Sequence, residues 1–165
     1  MFYREIIDKL KDWSEMDNHK PLVLSGSREV GKTTAVEIFS KEFDQYIVLN
    51  LEKEEVRQIF ETSYPFQDLL TELFLYAGKE GHTGITLIFI DEIQNTPKAI
   101  ALLHHFKEEA SDLFVIAAGS FLETIMNRKI SYPVGSVEFM MMNPVSFREF
   151  LAATGKKQKP RIFEQ

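Results

Sequence analysis

Gly26-Ser27-Arg28-Glu29-Val30-Gly31-Lys32-Thr33 is a complete G-x-x-x-x-G-K-T pattern, and its flanks give it meaning. The apolar run Pro21-Leu22-Val23-Leu24-Ser25 precedes it and reads as a strand, and residues 34 to 43 follow as a helix. A strand thus delivers the chain to a glycine-rich turn, where consecutive backbone N–H groups can face inward around an anion. The helix points its positive dipole end at the same place. The pattern predicts a phosphate-binding loop. Its contacting set is Gly26, Ser27, Arg28, Glu29, Val30, Gly31, Lys32, Thr33 and Thr34. Lys32 is expected to reach β- and γ-phosphate oxygens, and the Thr33 hydroxyl to ligate Mg²⁺.

A second stretch points to the same chemistry. Thr86-Leu87-Ile88-Phe89-Ile90-Asp91-Glu92 is an unbroken apolar run ending in two carboxylates. Such a run reads as a central parallel strand buried on both faces. Its acids would then lie at the carboxyl end, where parallel sheets place their ligand crevice. Asp91 suits an Mg²⁺ partner through a coordinated water, and Glu92 suits polarisation of an attacking water. The plain alternative is a solvated Asp-Glu pair at a strand end.

Composition sets the frame. The 165 residues suit one compact α/β domain. A hydrophobic share of 44% beside 27% charged residues argues against disorder. With no cysteine, disulfides and thiolate metal sites are excluded, and a cytoplasmic location is expected. The start, Met1 to Leu10, carries charge in every turn and is no signal peptide. No apolar run approaches membrane-spanning length, so no membrane partner is expected. A net charge of -6 argues against a broad nucleic-acid surface.

The rest of the chain alternates strand and helix signals. Ile6, Ile7, Leu10 and Trp13 recur at helical spacing ahead of a turn at 17–21. Ala35, Ile38, Phe39 and Phe43 give the helix after the loop an inward stripe. Residues 46–51 read as a second strand, and 52–60 as a short charged helix or ordered loop. Pro65 reads as a first-turn proline before the stripe Phe66, Leu69, Leu70, Leu73, Phe74 and Ala77. A glycine-containing connection spans 78–84. Thr96-Pro97 opens a helix carrying Ala99, Leu102, Leu103, Phe106 and Ala110 inward. Residues 113–118 form a fourth strand ending in Gly119-Ser120, and 136–142 a fifth, broken by Asn143-Pro144. Ser146-Phe147-Arg148-Glu149 has the pattern of a capping box. Alternation of this kind implies a parallel sheet covered on both faces. The expected organisation is an N-terminal helix and turn at 1–19, a core at 20–154 and a polar tail at 155–165.

Together these segments resemble a family. Gly26 to Thr34, then Ile88-Phe89-Ile90-Asp91-Glu92-Ile93-Gln94, Ala118-Gly119-Ser120, Tyr132 to Phe139 and Asn143 to Phe150 appear in order. This is similar to the prokaryotic AAA-type P-loop ATPases that commonly carry a C-terminal domain of unknown function. The resemblance runs from Lys20 to Leu151. It implies a three-layer P-loop NTPase of the AAA/RecA-like kind, with a five-stranded parallel sheet in the order 5-1-4-3-2. It implies ATP and Mg²⁺ as ligands, and Mg-dependent hydrolysis of ATP to ADP and phosphate. It puts Ser120 at a sensor position, where the hydroxyl could read the γ-phosphate or hold the attacking water; a helix N-cap is its plainer role. It also implies a helical lid and a further C-terminal domain. The chain stops soon after the core, so truncation in the tail and slow turnover are expected. A homo-oligomer or the C-terminal domain is the expected protein partner. A nucleotide-dependent switch with negligible turnover is the alternative function.

ATP is preferred over GTP, because the chain has no Asn/Thr-Lys-x-Asp motif and no Asp-x-x-Gly at the acidic strand. Arg28 could contact phosphate, act on a neighbouring subunit, or simply pair with Glu29. Arg128 and Arg148 are candidates for an arginine acting in trans, with surface pairing as the plainer reading. His104 and His105 are adjacent and so point in different directions on a helix, with no histidine or cysteine at i±4 from either, and no metal site is expected there. Met140, Met141 and Met142 read as strand side chains. Gln94 could sense nucleotide state, touch a partner or make a loop hydrogen bond.

Overall fold

The period-two alternation of the strands decides which helices cover which face. In the computed structural model, which describes residues 4–81, 83–120 and 135–155, neighbouring strand residues enter two separate cores. Leu22, Leu24, Leu87, Phe89, Ile116 and Ala118 pack on one face, with Ile6, Leu10 and Trp13 of α1 (Glu5–Ser14) and Ala35, Val36 and Phe39 of α2 (Lys32–Ser40). Val23, Ile88, Ile90, Val115 and Ala117 pack on the other. There they meet α3 (Glu54–Glu61), α4 (Phe66–Tyr76) and α5 (Pro97–Glu109). A sheet buried on both faces needs strands that are apolar on successive residues, and residues 22–24 of β1, 87–90 of β3 and 114–118 of β4 supply them.

The sheet contains β1 (Leu22–Ser25), β2 (Gln45–Asn50), β3 (Thr86–Asp91), β4 (Phe114–Gly119) and β5 (Glu138–Met141). Its order is β2-β3-β4-β1-β5, which from the opposite edge reads 5-1-4-3-2. All four pairings are parallel. β1 and β3 are buried along their whole length, whereas β2 exposes Val48 and β5 exposes Phe139 and Met141. That difference follows from position, since β2 and β5 are the two edges. Among the described residues no helix is long and apolar enough to cross a membrane.

Several boundaries differ from the sequence reading. α2 begins at Lys32 rather than at residue 34 and ends at Ser40, and Val36 is more deeply buried than Ile38. The helix starts as soon as Gly31 has made its turn, since no proline or further glycine follows to interrupt it. Pro65 lies one residue before α4, as its N-cap, and not inside the first turn. The capping box is complete: Ser146 Oγ accepts the Glu149 N–H, and Glu149 accepts the Ser146 N–H, at the start of α6 (Phe147–Ala153). Residues 156–165 of the polar tail, and Arg128, lie outside the described residues.

Candidate functional site

The loop between β1 and α2 is built from two backbone turns into the left-handed region. Glu29 has φ 63° and Gly31 has φ 101°. This kind of alternation curves the chain so that successive N–H groups converge. Gly26 cannot be larger for another reason: a Cβ there would meet the Met142 carbonyl oxygen at 2.6 Å. The Gly26 N–H is held by the Gly119 carbonyl at 3.3 Å, which pins the loop to the end of β4. α2 has no side-chain N-cap and no acid in its first turn, so its positive end is left to the loop.

The chemistry-bearing side chains gather at the carboxyl ends of the strands. Lys32 is buried, and its Nζ donates to the Gly26 and Ser27 carbonyls at 2.8 and 2.9 Å. Burial lowers its pKa, against the opposing effect of the Glu92 and Asp91 charges. The ammonium therefore has a strong need for an anionic partner. Thr33 Oγ1 donates to Asp91 Oδ2 at 2.9 Å, joining the loop helix to the end of β3. A hydroxyl and a carboxylate oxygen brought together are hard oxygen donors of the kind Mg²⁺ takes, so this pair fits that ion. Residues 18–151 match the family described as AAA domain.

The chain belongs to the AAA domain family. Solved structures share the AAA chain's fold at low identity. One is a Walker-type ATPase of Pyrococcus abyssi, at 18% identity and TM-score 0.59, matched over 98% of this chain and 61% of that one. Another is the Aeropyrum pernix ORC1 protein in complex with DNA, at 15% identity and TM-score 0.56, over 95% and 50%. A third is the Drosophila ORC bound to DNA, at 15% identity and TM-score 0.57, over 91% and 45%. The AAA chain thus spans about half to three-fifths of the length of these relatives in fold. No curated protein matches it.

Burial raises the pKa of Asp91 above its ordinary 3.8, and the Glu92 charge adds to that. Hydrogen bonds from Thr33 and from the Glu92 N–H, with the Lys32 charge, work the other way. A raised carboxyl pKa means the folded AAA chain holds the proton more tightly than the unfolded one. Stability from this group is therefore present below pH 3.8 and is lost as pH rises through the folded value. Asp91→Asn should escape that loss. The expected result is a melting temperature at pH 7 no lower than the parent's, with the variant's relative advantage shrinking as pH falls towards 3.8. Thermal unfolding of the nucleotide-free proteins across that range checks it; a constant deficit at every pH would contradict it.

Glu92 is half-buried and has φ 57° and ψ 44°, left-handed values rare for a residue with a side chain. The Gln94 amide nitrogen donates to Glu92 Oε2, so of the three roles open to Gln94 a loop hydrogen bond is the one seen. Ser120 is buried directly after Gly119, and Gly119 is in register with Ser25 at the start of the loop. The helix it was expected to cap falls in residues 121–134, outside the described residues. Arg28 is 74% exposed and pairs at 4.0 Å with Glu52 rather than Glu29. Arg148 is exposed. His105 pairs with Glu109, and among the described residues no group of three or more His, Cys, Asp or Glu could hold a metal.

Sequence reasoning passed over Tyr46. Its hydroxyl is buried without a hydrogen-bond partner among the described residues, and its pKa is raised by burial and then by the Glu37 and Asp91 charges. Its place in an apolar strand run concealed it.

Proposed function

We propose that the chain is the nucleotide-binding module of an AAA-type ATPase and hydrolyses ATP to ADP and phosphate with Mg²⁺. The observation that carries this reading is the Thr33–Asp91 contact at 2.9 Å, which joins the loop helix to the acidic strand beside the buried Lys32. In the proposed reaction, loop N–H groups and Lys32 hold the phosphates. Lys32 would exchange its two loop carbonyls for phosphate oxygens, a stronger charge-assisted pairing. Thr33 and Asp91 would hold Mg²⁺, which would supply positive charge against the phosphates. Glu92 would draw a proton from water as the water oxygen bonds to the γ-phosphorus. The bond from that phosphorus to the ADP oxygen breaks, and ADP and phosphate result. Ser120 is proposed to orient the γ-phosphate or the water. The absence of cysteine suits a cytoplasmic setting.

Turnover is proposed to be slow. Arg4 and Arg57 spend their guanidinium groups on backbone carbonyls, and Arg28 extends into solvent. An arginine placed on the transferring phosphoryl group is worth ~10³–10⁵ in rate. A homo-oligomer, or a domain beyond this chain, is the proposed source of one. The Gln94–Glu92 bond favours a second reading, a switch that binds ATP and scarcely hydrolyses it, because it occupies the carboxylate that would activate water. Single-turnover incubation with ATP and product analysis tests both. ADP and phosphate in equal amounts support hydrolysis; retained, bound ATP supports the switch. A phosphorylated acceptor would contradict both.

A further inference from the structure

Arg4 stands just before α1, far in sequence from every group its side chain binds. Its side chain is only 12% exposed. Nη1 donates to the Val30 carbonyl at 2.9 Å, inside the phosphate loop. Nη2 donates to the Asn143 carbonyl at 2.9 Å, just after β5. Nε donates to Glu149 Oε1 at 3.2 Å, in α6. One planar cation thus binds three acceptors on three separate segments. A lysine ammonium, a point charge on a single stem, cannot reproduce that fork.

The clasp is itself held firmly. Glu149 is buried, and its carboxylate also accepts the Glu5 and Ser146 N–H groups at 2.9 and 2.8 Å. The loop lies directly against this assembly. A Cβ on Gly31 would come within 3.3 Å of Arg4 Nη1 and 3.6 Å of Met142 Cε, and one on Gly26 would strike the Met142 carbonyl.

The geometry of a single peptide gives the contact its meaning. Val30 C=O and Gly31 N–H belong to one planar trans unit, so they point in opposite directions. A guanidinium that draws the carbonyl to the rear of the loop turns the Gly31 N–H to the front. We infer that Arg4 is a positioning residue for the phosphate loop: it locks the Val30–Gly31 peptide with its N–H directed at the bound phosphate.

This rests on the nucleotide reading above. Arg4→Ala frees the peptide to rotate. It should lower affinity for ADP by roughly 10-fold, the size of a typical coupling between linked sites. Arg4→Lys should show a similar loss, and serves if the alanine variant does not fold. Calorimetry with ADP and Mg²⁺, at a temperature where unfolding curves show each protein folded, measures the loss. Guanidinium ion at a few millimolar, far below denaturing levels, should restore much of the affinity of Arg4→Ala, and methylammonium should not. Recovery of that kind is not expected of a side chain that merely stabilises the fold. Parent-like ADP affinity in the folded variants overturns the inference alone, as does a loss that guanidinium leaves unchanged. Failure of the parent to bind ADP overturns the nucleotide reading and this inference with it.

Discussion

Glu92→Gln is expected to cut ATP turnover by ~10²–10⁴, the usual contribution of a positioned general base, while ATP affinity stays within a few-fold of the parent. The amide has almost the shape of the carboxylate and keeps an oxygen for the Gln94 amide donor. It cannot take up a proton at neutral pH. The left-handed backbone at Glu92 is unaffected, since glutamine differs only at the end of the side chain. Single-turnover hydrolysis and equilibrium binding on the same preparations separate the two effects. Parent-like turnover in Glu92→Gln would move the base elsewhere; weakened binding with unchanged chemistry would make Glu92 a ligand-holding group.

Lys32→Ala should damage both binding and turnover. Hydrogen bonds to charged groups contribute about 1.5–3 kcal/mol each, so losing the ammonium from the phosphates should weaken ATP about 10- to 100-fold. The nucleotide-free protein should suffer far less. Burial already penalises the charged Lys32, so its removal relieves a cost at the same time as it leaves the Gly26 and Ser27 carbonyls without that donor. The expected pattern is a large loss of affinity beside a small change in melting temperature. Calorimetry and thermal unfolding check the two halves. Equal affinity in parent and variant would remove Lys32 from the site.

Much of this architecture was legible because it follows from patterns the chain must show. β1 and β3 are apolar over residues 22–24 and 87–90 since both their faces are buried, and the sheet order is the one the family resemblance implied. The capping box at Ser146 and Glu149 was readable from four residues because its hydrogen bonds are local. What stayed hidden depends on contacts between segments far apart. Arg4 lies 26 residues from Val30 and 145 from Glu149, and no local pattern marks such a clasp. Glu149 looked like an ordinary cap, yet it also anchors Arg4 and the Glu5 N–H. The positive φ of Glu92 was equally invisible, since it is set by the turn from β3 into the short 3-10 turn at Ile93–Asn95. Tyr46 shows the same limit: its orphan hydroxyl results from packing around a strand whose sequence alone marks no partner for it.

Lys32, Thr33 and Asp91 are proposed to form one site for ATP and Mg²⁺ together. Calorimetric titration of the parent protein with ATP, once with Mg²⁺ and once with EDTA, tests it most directly. The expected result is saturable binding at one site per chain, tighter with Mg²⁺ present, and a Mg²⁺ advantage that Asp91→Asn largely removes. No saturable binding at millimolar ATP under either condition would contradict it, as would binding with the same Mg²⁺ dependence in Asp91→Asn and the parent.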